Sequence, residues 1–90
     1  MNNILFCDGH DNAFVGFMWR FGCKEPIAAY NQKKIIENLI NDGMTFEEAQ
    51  EYFDYNIIGA WVGSGTPVFI EDMSIEEAKE RAEEYEWILI

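Results

Sequence analysis

Positive charge is scarce in this chain. Six lysines and arginines stand against seventeen aspartates and glutamates in 90 residues, for a net charge of −11. The deficit is uneven. Residues 1–40 hold four acids and four bases, residues 41–70 five acids and no base, and residues 71–90 eight acids and two bases. Phosphate backbones and anionic bilayers are held by lysine and arginine, so direct nucleic-acid binding and membrane adsorption are both disfavoured. Cysteine is scarce too: Cys7 and Cys23 cannot build the disulfide framework of a small secreted domain. Met1 to Phe6 lacks the basic start and long apolar run of a signal peptide. No stretch approaches the roughly 18 apolar residues of a bilayer span. A cytoplasmic protein with reduced thiols is the expectation. His10 is the sole histidine, whereas zinc usually takes three or four ligands of the His or Cys type. No repeat, low-complexity segment or linker interrupts the chain.

What is present is enough for a core. Hydrophobic residues make up 49% and aromatics 16%, the composition of a folded chain. Ninety residues make one domain, spanning 1–90, that buries roughly 60–65% of its unfolded surface. Residues 71–90, acidic and then apolar, read as an appendage or an oligomer contact on that domain.

The clearest punctuation lies between Asn41 and Asp72. Gly43 stops a helix whose cap is Asn31 and whose buried face is Ile35, Ile36, Leu39 and Ile40. Thr45 and Glu48 form a capping box for the next helix, which carries Phe46, Ala49, Tyr52 and Phe53 on one face and ends near Tyr55 and Asn56. Ile57 to Val62 and Val68 to Ile70, joined by Gly63-Ser64-Gly65-Thr66, predict a β-hairpin. That loop lacks the lysine and following helix of a phosphate-binding loop. Upstream, Asn3 to Cys7 predicts a first strand, Asp8 to Asn12 a turn, and Pro26 to Tyr30 a second strand. Ala13 to Gly22 fits a helical face through Phe14, Phe17, Met18 and Phe21, or an alternation through Val15, Phe17, Trp19 and Phe21; the reading leans to a short helix or irregular segment. Downstream, Ser74 and Glu77 cap a helix with a narrow stripe of Ile75, Ala78, Ala82 and Tyr85, and Glu77–Arg81 is the expected ion pair along it. The result is an α+β domain: a short mixed or antiparallel sheet with a hairpin, covered by three to four helices.

The run Gly43-Met44-Thr45, Glu47-Glu48-Ala49, Tyr52-Phe53, Asn56, Gly59-Ala60-Trp61-Val62-Gly63 and Thr66-Pro67-Val68-Phe69, with Gly22-Cys23, Pro26, Tyr30 and Asp42 ahead of it, resembles a family of small bacteriophage proteins. Its members carry a core like GMTxEEAxEYFxxNxxGAWVGxxTPxF. The resemblance covers about Ile4 to Ile70 and implies a phage accessory gene, expressed in the cytoplasm of an infected or lysogenic bacterial host. It brings no catalytic residue with it, and the acidic helix after Asp72 lies outside it.

Three functional expectations follow. The first is a non-enzymatic protein that binds and inhibits or redirects a host protein, such as a defence component. Its contact face would be Glu76, Glu77, Glu80, Glu83 and Glu84, imitating nucleic acid on a basic surface. The apolar tail of residues 85–90 would pair copies of the chain. The second is an oligomer that binds a nucleotide signal. Tyr30, Tyr55 and Trp61 would stack on the base, with Asp8, His10, Asp11 and Thr66 nearby and Arg20, Lys24, Lys33 and Lys34 as the only cations for phosphate. The third is a small enzyme using Asp8, His10 and Asp11, or a Cys23–His10 pair, although the spacing matches no metal or catalytic pattern. No cofactor or metal is expected, and no catalytic residue is assigned.

Overall fold

The computed structural model describes residues 4–22, 24–59, 63 and 65–87. Its organising element is a strand in which every side chain from Ile27 to Tyr30 is buried. Such a run belongs to a strand covered on both faces, and it occupies the centre of a three-stranded sheet. In chain order the strands are β1 (Phe14–Met18), β2 (Ile27–Asn31) and β3 (Val68–Ile70), and the spatial order is the same. β1 runs antiparallel to β2, while β3 runs parallel to it with Tyr30 opposite Phe69. The helices are α1 (Gln32–Asn41), α2 (Phe46–Tyr52) and α3 (Ile75–Glu84). This is the expected α+β class, with a mixed sheet.

Each helix begins where the sequence signals it. Asn31 closes β2 and caps α1 by accepting from the Lys34 N–H at 3.0 Å. Thr45 accepts from the Glu48 N–H at 3.2 Å, and the Glu48 carboxylate accepts from the Thr45 N–H at 2.9 Å, so the capping box is complete. Ser74 accepts from the Glu77 N–H at 3.1 Å. The Glu77 carboxylate takes the Ser74 hydroxyl rather than its backbone, at 3.2 Å.

Two helices end in the same way. After α1 the Met44 N–H donates to the Leu39 carbonyl and the Gly43 N–H to the Ile40 carbonyl. After α3 the Trp87 N–H donates to Ala82 and the Glu86 N–H to Glu83. Both are Schellman closures, which need one residue at positive φ. Gly43 supplies it for α1 at 111°, whereas Glu86 is forced to 58° after α3.

The core lies between the sheet and α1, α2 and the turn after α2. Tyr30, Phe53 and Ile35 are its largest fully buried side chains, joined by Ile36 and Leu39. Alanines fill the tightest places: Ala13, Ala28 and Ala49 are each almost entirely inaccessible. One aromatic chain crosses the sheet, with ring centroids 5.6 Å apart from Phe14 to Tyr30, 6.2 Å from Tyr30 to Phe69 and 5.3 Å from Phe69 to Phe53.

Several expectations need correction; Ile40, expected on the buried face of α1, is exposed. Ile4 to Cys7 is not a strand; it is tied to the core by the Cys7 N–H, which donates to the Tyr30 hydroxyl at 2.8 Å. Asn3 lies outside the described residues. The stretch Ala13–Gly22 is neither helical nor irregular at its centre. A 3₁₀ turn over Asp11–Ala13 leads directly into β1. The pairing shifts between Phe14 and Gly16, a bulge that re-phases the strand. Phe14 and Phe17, three residues apart, therefore meet at 5.6 Å.

The hairpin over 57–70 is also replaced. Phe53–Ile57 continues α2 as a π turn, closed by the Ile58 N–H on the Phe53 carbonyl at 2.8 Å. Gly59 then folds back so tightly that a Cβ there would lie 2.9 Å from the Asp54 carbonyl oxygen. Ile57 and Ile58 are thus helix end and turn, and β3 takes β2 as its parallel neighbour. Ala60 to Val62 lie outside the described residues. Finally, Arg81 pairs with Glu71 at 2.6 Å rather than with Glu77. Of the α3 stripe, Ala82 is buried and Ala78 half-buried, while Ile75 and Tyr85 are exposed.

Candidate functional site

Residues from four parts of the chain enclose a cleft of about 620 Å³. The segment Leu5 to His10 forms one wall. Leu39 and Asp42 at the end of α1, and Tyr52, Asn56 and Ile57 at the end of α2 and in the π turn, contribute others. Thr66, Pro67 and Phe69 lead into β3 and complete the lining. Leu39, Ile57 and Phe69 belong to or pack on the core, so the cleft combines apolar side chains with a few convergent polar ones, the usual make-up of a ligand site.

Asp8, His10 and Thr66, predicted from sequence, all reach this cleft. The Thr66 hydroxyl donates to the Gly63 carbonyl at 2.6 Å. Asp42, Tyr52 and Asn56 are lining residues the sequence reading missed. They arrive from helix ends remote in sequence, and no local motif marks them. Asp11 is separated from its expected partners: it faces a second hollow of about 410 Å³ with Asn12, Asn38, Asn41 and Asp42. Tyr30 does not line the cleft, being buried at 1% exposure with its hydroxyl engaged by Cys7. Tyr55 is exposed and faces another shallow hollow with Met44, Glu48 and Tyr52. Trp61 lies outside the described residues.

His10 is oriented by two asparagines. The Asn38 side-chain amide donates to the Asn12 carbonyl oxygen at 2.7 Å and accepts from the Asn12 amide at 3.0 Å. Its remaining N–H faces His10 Nδ1 at 3.1 Å. With Nδ1 accepting, the neutral ring carries its proton on Nε2 and presents a donor. Cys7 is half-buried, and that burial pushes its thiol above the ordinary value. Cys23, and with it the Cys23–His10 pair, lies outside the described residues. Among the described residues, no group of three or more His, Cys, Asp and Glu side chains is placed to hold a metal ion.

None of Arg20, Lys24, Lys33 and Lys34 lines the cleft, whose charged residues among those described are Asp8 and Asp42. Lys34 instead faces Glu37 at 3.8 Å, both side chains being about half exposed.

The second candidate surface is α3. Glu76, Glu77, Glu80, Glu83 and Glu84 are all exposed. Arg81 reaches back to Glu71 just after β3 at 2.6 Å, with both side chains about half exposed. No helix among the described residues is long and apolar enough to cross a membrane.

No family model matches the chain, and no curated protein or solved structure matches it either.

Proposed function

We propose that this is a protein-binding accessory factor that meets a basic surface of a bacterial host protein through α3, and so inhibits or redirects it. The observation that carries this reading is the exposed row Glu76, Glu77, Glu80, Glu83 and Glu84 on a capped helix tethered by Arg81 to Glu71. Carboxylates displayed along a helix offer a basic surface some of the field it would meet on nucleic acid. The likeness to small phage proteins adds a setting in which host proteins, including defence components, are the natural targets. The composition fits as well, since the excess acid lies in the second half of the chain.

The cleft supports a second reading, a small-ligand binder. Among the described residues its lining carries two carboxylates and no lysine or arginine, which disfavours the nucleotide version of that reading.

The experiment is affinity capture from bacterial lysate with the full chain and with a variant carrying lysine at positions 76, 80, 83 and 84. The expected result is a basic protein retained by the wild type, released by added salt and by competing DNA, and absent with the variant. Equal retention by the charge-reversed chain removes α3 as the contact.

A further inference from the structure

The C-terminal end of a helix carries partial negative charge, which a lysine or arginine in the last turn commonly offsets. The cleft opens on two such ends. α1 brings Leu39 and Asp42 to it, and α2 with its π turn brings Tyr52, Asn56 and Ile57. Neither helix has a basic residue in its last turn, nor has the π turn, whereas α3 has Arg81 there. Asp8 and Asp42 add two full negative charges to the same lining, and its described residues include no lysine or arginine. With Nδ1 accepting from Asn38, His10 brings an N–H donor and no charge. The cleft is therefore a concavity of one sign, and low-dielectric walls concentrate its field.

We propose that the cleft binds a small organic cation, a primary ammonium carried on an apolar body, with Asp8 and Asp42 as the groups that hold the ammonium. The inference rests on the ligand-binding reading of the cleft and names its ligand class; it does not depend on α3.

Charge selects a cation. An anion, phosphates included, would face two carboxylates and two helix C-termini with no lysine or arginine among the described lining to offset them. Asp42 also borders the second hollow, where Asp11 adds a further carboxylate. The floor selects an organic cation. Leu39, Ile57 and Phe69 belong to or pack on the core and offer apolar surface to the body of a ligand. A bare ion would leave that surface unused, and among the described residues no three His, Cys, Asp or Glu side chains come together around a metal. Phe6, Tyr52 and Phe69 place aromatic rings in the lining, and aromatic faces attract an ammonium that has left water. The volume of about 620 Å³ falls within the roughly 300–1,000 Å³ of small-molecule sites.

The test is calorimetric titration of the full chain with three probes of one shape: phenethylamine, phenethyl alcohol and phenylacetate. The amine is expected to bind at least about tenfold more tightly than the alcohol, and phenylacetate not at all. Amide NMR shifts on adding the amine should centre on Gly9, Asp42 and Asn56, which locates the site without any substitution. The double variant Asp8→Asn, Asp42→Asn should lose about tenfold in affinity for the amine. Glu80→Gln, Glu83→Gln removes the same charge from α3 and should not. All four side chains are exposed, and circular dichroism checks that both variants keep the fold. Nα-acetyl-lysine methylamide decides the source of the ammonium: tighter binding than phenethylamine assigns the cleft to a lysine side chain of another protein, and weaker binding to a free amine. Equal binding of amine and alcohol overturns the cation while leaving a ligand site. Equal loss in the two double variants also overturns it, because net charge alone then draws the amine. Binding of none of the probes overturns the inference together with the ligand-binding reading beneath it.

Discussion

At the scale of single residues, Tyr30 does more than fill space. Its ring stands between Phe14 and Phe69, and its hydroxyl is the acceptor for the Cys7 N–H. Burial raises its pKa above that of a free phenol. Tyr30→Phe keeps the ring and removes the acceptor. We expect it to lower unfolding free energy by about 1–2 kcal/mol, the cost of leaving a partly buried donor unpaired, as read from urea denaturation. Glu48 gives a pH-dependent counterpart. Hydrogen bonds from the Thr45 backbone, then from its side chain, hold its carboxyl below the usual glutamate range. A depressed folded pKa stabilises above the unfolded value, and the contribution is lost as pH falls through the folded one. Wild type should therefore melt above Glu48→Gln at neutral pH, with the gap closing in acid. A gap that persists in acid would mean that the carboxylate charge is not its source.

At the scale of elements, the two Schellman closures form an internal comparison. Glu86 pays a steric cost at φ 58° that Gly43 avoids at 111°. It also leaves a negative charge at the negative end of α3. Glu86→Gly is expected to raise stability by about 0.5 kcal/mol, and Gly43→Ala to lower it by about 1 kcal/mol or more; thermal melts of the pair test both signs. These closures, and the caps at Asn31, Thr45 and Ser74, are local chemistry, which is why α1, α2 and α3 were legible in the sequence. β1 was not, because a bulge destroys the period-two pattern by which a strand is recognised: Phe14 and Phe17 share a face at a spacing of three. The hairpin failed for another reason. Ile57 and Ile58 have strand-like side chains, but the π turn from Phe53 captures their backbone. The cleft was legible only where its residues are clustered in sequence, at Asp8 and His10. The contact that orients His10 comes from Asn38, 28 residues away, and no local pattern announces it.

At the scale of the whole molecule, stability is unevenly shared. β1, β2 and α1 are joined by short connections, and α1 and α2 supply Ile35, Ile36, Leu39 and Ala49 to the core. β3 is three residues long, and α3 buries only Ala82. Pairing β3 with β2 in parallel also closes the long stretch of chain between them, a cost paid before the contact rewards it. Amide hydrogen exchange should therefore show β3 and α3 opening at lower free energy than β2 and α1. Uniform protection across all four elements would contradict this. The unevenness suits the proposed contact through α3, since that helix can adjust without loosening the sheet.

The alanines at the centre have a consequence for how the sequence can change. Ala13, Ala28 and Ala49 have little side chain to lose, and the space around each is already taken. Substitution there can only add atoms, forcing the elements apart, whereas at Phe53 or Ile35 it chiefly removes them and leaves a void. A saturation scan should thus divide the core into two classes of intolerance. The alanine positions would accept glycine or serine in preference to valine or leucine, and the large positions would accept their nearest isosteres alone. Drift in this lineage would then run along the surface and the cleft rim, with the three alanines as its fixed points.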